Sequence, residues 1–140
     1  MKRIFCTAIF FASFVSILGG CGAKADMKKA QVAVDDFHAQ LNAGNFDGIY
    51  NNSDDLLKNA TSQERFVNLL SAVHRKLGTA KSADRKGFFL NYGNQGEMIR
   101  LTYSTQYDND QASEEFVFHA SGDRLLLAGY HINSDALITQ

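Results

Sequence analysis

The stretch EMIRLTYSTQY, Glu97 to Tyr107, decides the fold. Ile99, Leu101, Tyr103, Thr105 and Tyr107 take every second position and share one face, while Arg100, Thr102, Ser104 and Gln106 share the other. Successive side chains of a strand point to opposite sides, so this period of 2 describes a strand with one buried and one wet face. Ahead of it, Gly93-Asn94-Gln95-Gly96 is a turn, and Thr79 to Tyr92 has strand character at its Phe88-Phe89-Leu90 end. Behind it, Asp108-Asn109-Asp110-Gln111 turns the chain into a third strand, Glu114 to Ala120. Ser121-Gly122-Asp123 then leads into a fourth, Arg124 to Asn133. Counting outward from that last turn sets residue 119 opposite residue 126, and Gly129 inside the fourth strand marks a bulge or bend.

Upstream of residue 78 the period is helical. Met27, Ala30, Val34, Phe37 and Leu41 fall at steps of three and four, one stripe of a helix of about 17 residues, and Gly44 stands where a left-handed C-cap belongs. Asn45 to Tyr50 reads as a turn or short helix with Phe46, Ile49 and Tyr50 inward; Ser53-Asp54-Asp55 has N-cap chemistry for another short helix through Leu56 and Leu57. Thr61-Ser62-Gln63-Glu64 has the spacing of a capping box. It opens a helix striped by Phe66, Leu69, Leu70, Val73 and Leu77, with Arg75 and Lys76 in the last turn and Gly78 as its stop. Helices followed by adjacent strands predict an α+β fold: N-terminal helices packed on a four-stranded antiparallel sheet that curls around them like a cone.

The first 21 residues, MKRIFCTAIFFASFVSILGGC, carry a different message. Lys2 and Arg3 precede an uncharged apolar run from Ile4 to Leu18, shorter than the roughly 20 residues a membrane-spanning helix needs. Leu18-Gly19-Gly20-Cys21 follows and resembles the lipobox of bacterial lipoproteins. That resemblance implies cleavage after residue 20, a diacylglycerol on the Cys21 thiol and an acylated amine, hence a membrane attachment with the two or more chains that stable anchoring requires. It implies a cell-envelope location. With Gly22 instead of Asp after the cysteine, that is the outer membrane facing the periplasm in a Gram-negative host, or the outer leaflet of the single membrane in a Gram-positive one. The expected organisation is a cleaved signal peptide over 1–20, a lipidated cysteine and tether over 21–26, and one α+β domain over 27–140.

Removal of residues 1–20 lowers the basic residues from 14 to 12 against 15 acidic ones, a net charge near −3 that excludes a nucleic-acid partner of the basic-patch type. Cys6 leaves with the signal and Cys21 is taken by lipid, so no thiol remains for a disulfide or metal site. The four histidines at 38, 74, 119 and 131 show no ligand spacing: His38 and His74 read as surface or boundary residues, and His119 and His131 are too far apart along the last hairpin to share a metal. Glu114-Glu115 with Asp108 and Asp110 reads as a solvated acidic hairpin tip. No catalytic residue, metal or cofactor is expected.

The order of elements resembles the nuclear-transport-factor-2-like or cystatin-like cone fold, and Phe66 to Ile132 resembles small exported proteins and lipoproteins of that superfamily. Arg75-Lys76-Leu77-Gly78, Leu101 to Tyr107, Glu114 to Phe118 and Leu127 to Ile132 carry the likeness. Enzymes of the superfamily, such as ketosteroid isomerases and dehydratases, set an acid and a base in the mouth of the cone, but no motif maps one here. Tyr103, Tyr107 and Tyr130 read as core and rim of the sheet, or else, with His131, as the lining of a pocket of phenols. The resulting expectation is a membrane-anchored, non-enzymatic binding or interaction module, with an envelope protein or a second copy as partner. The alternative is a cone-fold enzyme or carrier acting on a small apolar ligand.

Overall fold

The structure, a computed structural model, describes the backbone of residues 21–138 and the side chains of residues 27–138. Residues 1–20, expected above to be a cleaved signal peptide, and the side chain of Cys21 lie outside the described residues. Helices come first: α1 (Cys21–Asn42), α2 (Phe46–Asn51), α3 (Asp55–Ala60) and α4 (Gln63–Leu77). Four strands follow, β1 (Ala80–Gly93), β2 (Gly96–Tyr107), β3 (Gln111–Ser121) and β4 (Arg124–Asn133), and a single turn, α5 (Asp135–Ile138), ends the described chain. The strands form one antiparallel sheet in the order β1-β2-β3-β4, curled and unclosed, with the helices on its concave side.

The alternation of β2 translates directly into burial: Ile99, Leu101, Tyr103, Thr105 and Tyr107 are all buried. Pairing then carries the inner face to β3, where Leu101 meets Phe116 and Ile99 meets Phe118. Three bulges bend the sheet. In β1, Lys81 and Lys86 are the extra residues where the register to β2 shifts; in β4, Ala128 is the extra residue, beside Gly129 opposite Val117. An unmatched residue sharpens the local twist, and long strands bent at such points wrap around a helix instead of lying flat. The turn count holds at the last hairpin, where His119 faces Leu126.

Helix α1 fills the hollow. Ala30, Val34, Phe37 and Leu41 are buried, and Phe37 meets Phe116 edge-on at 5.0 Å and Tyr130 at 4.7 Å. The core of the described residues runs from Ala30 to Leu127 with partly buried neighbours as far as Leu137, all within the chain from residue 21 onward. At the end of α1, Asn42 grips the start of β1 from both sides: its amide donates to the Ala80 carbonyl at 3.1 Å and its oxygen accepts from the Ala80 amide at 2.9 Å.

Four local expectations need correction. The N-cap of α4 is Ser62, which accepts from Arg65 N, not Thr61; Thr61 stays extended as the C-cap of α3, and its carbonyl accepts the Tyr50 hydroxyl. Position N3 is therefore Arg65, and no reciprocal carboxylate completes a capping box. Leu69 is exposed although it lies on the apolar stripe of α4. Strand β1 runs the full length of Ala80–Gly93 rather than only around Phe88, because every residue but the two bulges pairs with β2. Glu114, read as part of a wet hairpin tip, is fully buried, since the inner parity of β3 runs Ala112, Glu114, Phe116, Phe118.

Gly44 and Gly78 end their helices at φ +72° and +82°. At Gly78 the β2–β3 turn closes on the helix end: Asn109 N donates to Leu77 O, the Asn109 side chain donates to Lys76 O, and Asp108 accepts from Thr79 N at 2.7 Å. The Thr79 amide and then Lys81 hold the Asp108 carboxyl down to about 2. A Cβ on Gly78 would lie 2.7 Å from Asp108 Cβ, whereas Gly44 faces open space. Gly78→Ala should therefore cost more than the about 1 kcal/mol of left-handed strain expected for Gly44→Ala, reaching about 2–3 kcal/mol. Urea unfolding of the two variants checks this, and equal losses would show that the Asp108 contact yields freely.

Candidate functional site

A carboxylate inside a hydrophobic core is costly unless donors surround it. Glu114 has three. His38 Nε2 lies 2.8 Å from its Oε2, and the hydroxyls of Tyr107 and Tyr130 donate to its Oε1 at 2.7 and 2.6 Å. Burial alone would drive the Glu114 carboxyl upward; the hydrogen bond and charge of His38 outweigh that and hold it below the ordinary glutamate value. Burial, reinforced by the same carboxylate, drives both phenols in the opposite direction, well above ordinary tyrosine. The knot ties α1, β2 and β4 to β3 at one point, walled by Phe37 and Phe116. The Thr105 hydroxyl is buried on the same face and adds to the groups that hold the Glu114 carboxyl down.

A second histidine–carboxylate pair lies nearer the surface. Asp54, the N-cap of α3, accepts from Leu56 N with one oxygen and holds His119 Nδ1 at 2.8 Å with the other. Its own backbone amide donates to Leu127 O, so the pair pins α3 to the β3–β4 hairpin. Burial pushes the Asp54 carboxyl up, but the Leu56 amide and then His119 prevail and leave it below the usual aspartate value.

Two open grooves flank this junction. The first, about 720 Å³, lies between α1 and the β3–β4 hairpin. Its floor is apolar, built from Val32, Phe37, Ile49, Phe118, Leu125 and Leu127, and its rim carries Lys28, Lys29, Asp36, Asp123 and Arg124. The second, about 600 Å³, is polar and contains Asp54 and His119. They meet along Asn52, Ser53, Leu126 and Arg124, which line both.

The residues singled out from the sequence divide between these places. Tyr107 and Tyr130 meet at Glu114, while Tyr103 is buried and donates to Gln31 at 2.6 Å. His131 is exposed, opposite Glu115. Neither groove is lined by any of the four. His38, read as a boundary residue, is buried because α1 turns it onto Glu114; its place one residue after the stripe position Phe37 was the available signal. The Asp54–His119 pair had a half-signal, since Asp54 was legible as a cap and His119 as a strand residue, but 65 positions separate them. Among the described residues no group of three or more His, Cys, Asp or Glu is placed to hold a metal, and no helix is long and apolar enough to cross a membrane.

A family model described as a protein of unknown function, DUF4019, matches residues 33–130. The match takes in all four residues of the Glu114 knot, the Asp54–His119 pair and most of the first groove. No curated protein matches the chain.

Removing one partner of a buried charge pair leaves the other unpaired, so His38→Ala should destabilise by about 3–5 kcal/mol. The pH dependence follows from the carboxylates. Glu114 and Asp54 are lowered from 4.5 and 3.8, so their stabilisation is complete above those unfolded values and is lost as pH falls through the lower folded ones. Stability should thus decline below about pH 4.5. Glu114→Gln, the same shape without the charge, should start less stable at neutral pH yet lose less on acidification; a parallel slope would show that Glu114 does not drive the acid transition.

Proposed function

The chain belongs to the DUF4019 family, and we propose that it is a lipid-anchored envelope protein whose α+β domain binds a small apolar ligand in the groove between α1 and the β3–β4 hairpin. The groove carries the reading. It presents Val32, 59 % exposed, together with Phe37, Phe118 and three consecutive leucines, Leu125, Leu126 and Leu127, in a concavity within the range of small-molecule sites. Charged groups stay on its rim, where they orient a ligand without a desolvation cost.

The anchor rests on Lys2, Arg3, the apolar run to Leu18 and Leu18-Gly19-Gly20-Cys21. Lys28 follows Cys21 by seven residues in α1, roughly 10 Å along a helix, so lipid on Cys21 would hold the groove's mouth close to a bilayer. The likeness to nuclear-transport-factor-2-like and cystatin-like cones belongs to this reading too: it is supported by the curled, unclosed sheet wrapped on a long first helix. Binding is favoured over catalysis because the Glu114 knot is enclosed by packed aromatic rings and lines neither groove. An envelope partner or second copy would use the outer sheet face, where Phe89 stands exposed beside Arg100.

Intact mass of the protein extracted from membranes should correspond to a chain starting at residue 21 plus two or three acyl chains, and Cys21→Ala should lose them; an unmodified or full-length mass removes the anchor from the proposal. For the groove, 1-octanol titrated into the Cys21→Ala chain from residue 21 onward should perturb Phe118 and Leu125 signals in NMR spectra. Leu125→Asp should weaken that binding by about tenfold, the effect of a charge set in an apolar floor.

A further inference from the structure

The two grooves adjoin, and the second has its own chemistry. Asp54 is committed with both oxygens, to Leu56 N and to His119 Nδ1. The histidine proton on that side is thereby fixed, and in the neutral ring the outward Nε2 is left as an acceptor. No hydrogen bond within the described residues uses Nε2. Gly96, at φ +99°, brings the β1–β2 turn alongside it without a side chain, where a Cβ would lie 3.0 Å from Nε2 and crowd it.

The same groove is lined by Asn59, Gln95 and Ser121, whose side chains make no hydrogen bond within the described residues. Amides and hydroxyls both donate and accept, as do the hydroxyls of a sugar or polyol. The charges of the groove balance: Asp54 and Asp55 stand against Lys58 and Arg124, with Lys58 already donating to Asn51 O at 3.0 Å. Such a surface selects neither an anion nor a cation. Asn52, Ser53, Leu126 and Arg124 line both grooves, so the apolar trough and the polar one share an edge that a ligand could lie across.

We infer that the two grooves are one site for a single-chain amphiphile, its alkyl tail between α1 and the β3–β4 hairpin and its neutral, hydroxyl-bearing head on His119, Asn59, Gln95 and Ser121. This rests on the apolar-groove reading above and adds the head to it. Arg124 marks the boundary between tail and head, and His119 is the residue that accepts a head hydroxyl.

The test uses the Cys21→Ala chain from residue 21 onward and calorimetric titration with three octyl compounds below their micellar concentrations: n-octyl β-D-glucoside, 1-octanol and octyl sulfate. The glucoside should bind about tenfold more tightly than 1-octanol, the worth of one or two net hydrogen bonds, and more tightly than the sulfate. His119→Gln should reduce that advantage to about threefold or less while leaving 1-octanol affinity unchanged. Gln95→Ala, at an exposed turn position away from Asp54, should act in the same direction and guards against misfolding of the His119 variant. Equal affinities for glucoside and 1-octanol overturn the head site while leaving the apolar groove standing. Preference for octyl sulfate overturns the neutral head. Failure of all three to bind overturns this inference together with the groove itself.

Discussion

Everything in the hollow of this sheet is arranged around one buried negative charge. Glu114 sits in the middle of β3 with no exposure, and its oxygens are reached from three other elements: His38 from α1, Tyr107 from β2, Tyr130 from β4. Apolar contacts are non-directional and would let α1 slide along the sheet or roll about its axis. A carboxylate with three donors permits little of either, because a shift that loses one donor strands a desolvated charge. The aromatic packing of Phe37 on Phe116 and Tyr130 supplies area, and the knot supplies position.

Position matters because the grooves are made from what α1 and the strands leave uncovered. The helix covers the sheet at Glu114 and diverges from the β3–β4 hairpin toward its own N-terminal half, exposing Val32 and the leucines of β4. Asp54 and His119 repeat the device at the other end of β3, fastening α3 beside the hairpin turn. Two histidine–carboxylate pairs on one strand thus fix two helices, and the open space lies between the fastenings. The first is sealed by rings and the second is open to solvent on one side, which is why only the second can meet a ligand.

The parts of the fold legible in the sequence are those governed by local period and local caps. The face of β2, the stops at Gly44 and Gly78, the Asp54 cap and the facing of His119 and Leu126 all follow from rules that span a few residues. Failures occurred where a distant partner decides. Glu114 next to Glu115 reads as a wet tip when the strand is begun at Glu114; begun at Gln111, the parity set by Phe116 and Phe118 turns Glu114 inward, where Tyr107, Tyr130 and His38, the last 76 residues earlier, make that tolerable. Thr61 leaves the cap of α4 to Ser62, being itself the extended C-cap of α3 with its carbonyl accepting the Tyr50 hydroxyl. The grooves are illegible for the same reason, since their linings come from α1, α2, α3, the β1–β2 turn, β3 and β4 at once.

The bulges of β1 have an effect beyond curvature. As the first strand of an open sheet, β1 has among the described residues one side with no strand partner, a template on which another chain could add a strand. Its start is occupied by the side chain of Asn42, which takes both the Ala80 amide and carbonyl as a neighbouring strand would. Beyond it, Lys81 and Lys86 break the register with a charged residue at each step. An incoming strand would meet an interrupted ladder with a lysine at each interruption. Wherever local concentration is high, this is protection against edge-to-edge aggregation, obtained from the same irregularities that shape the sheet.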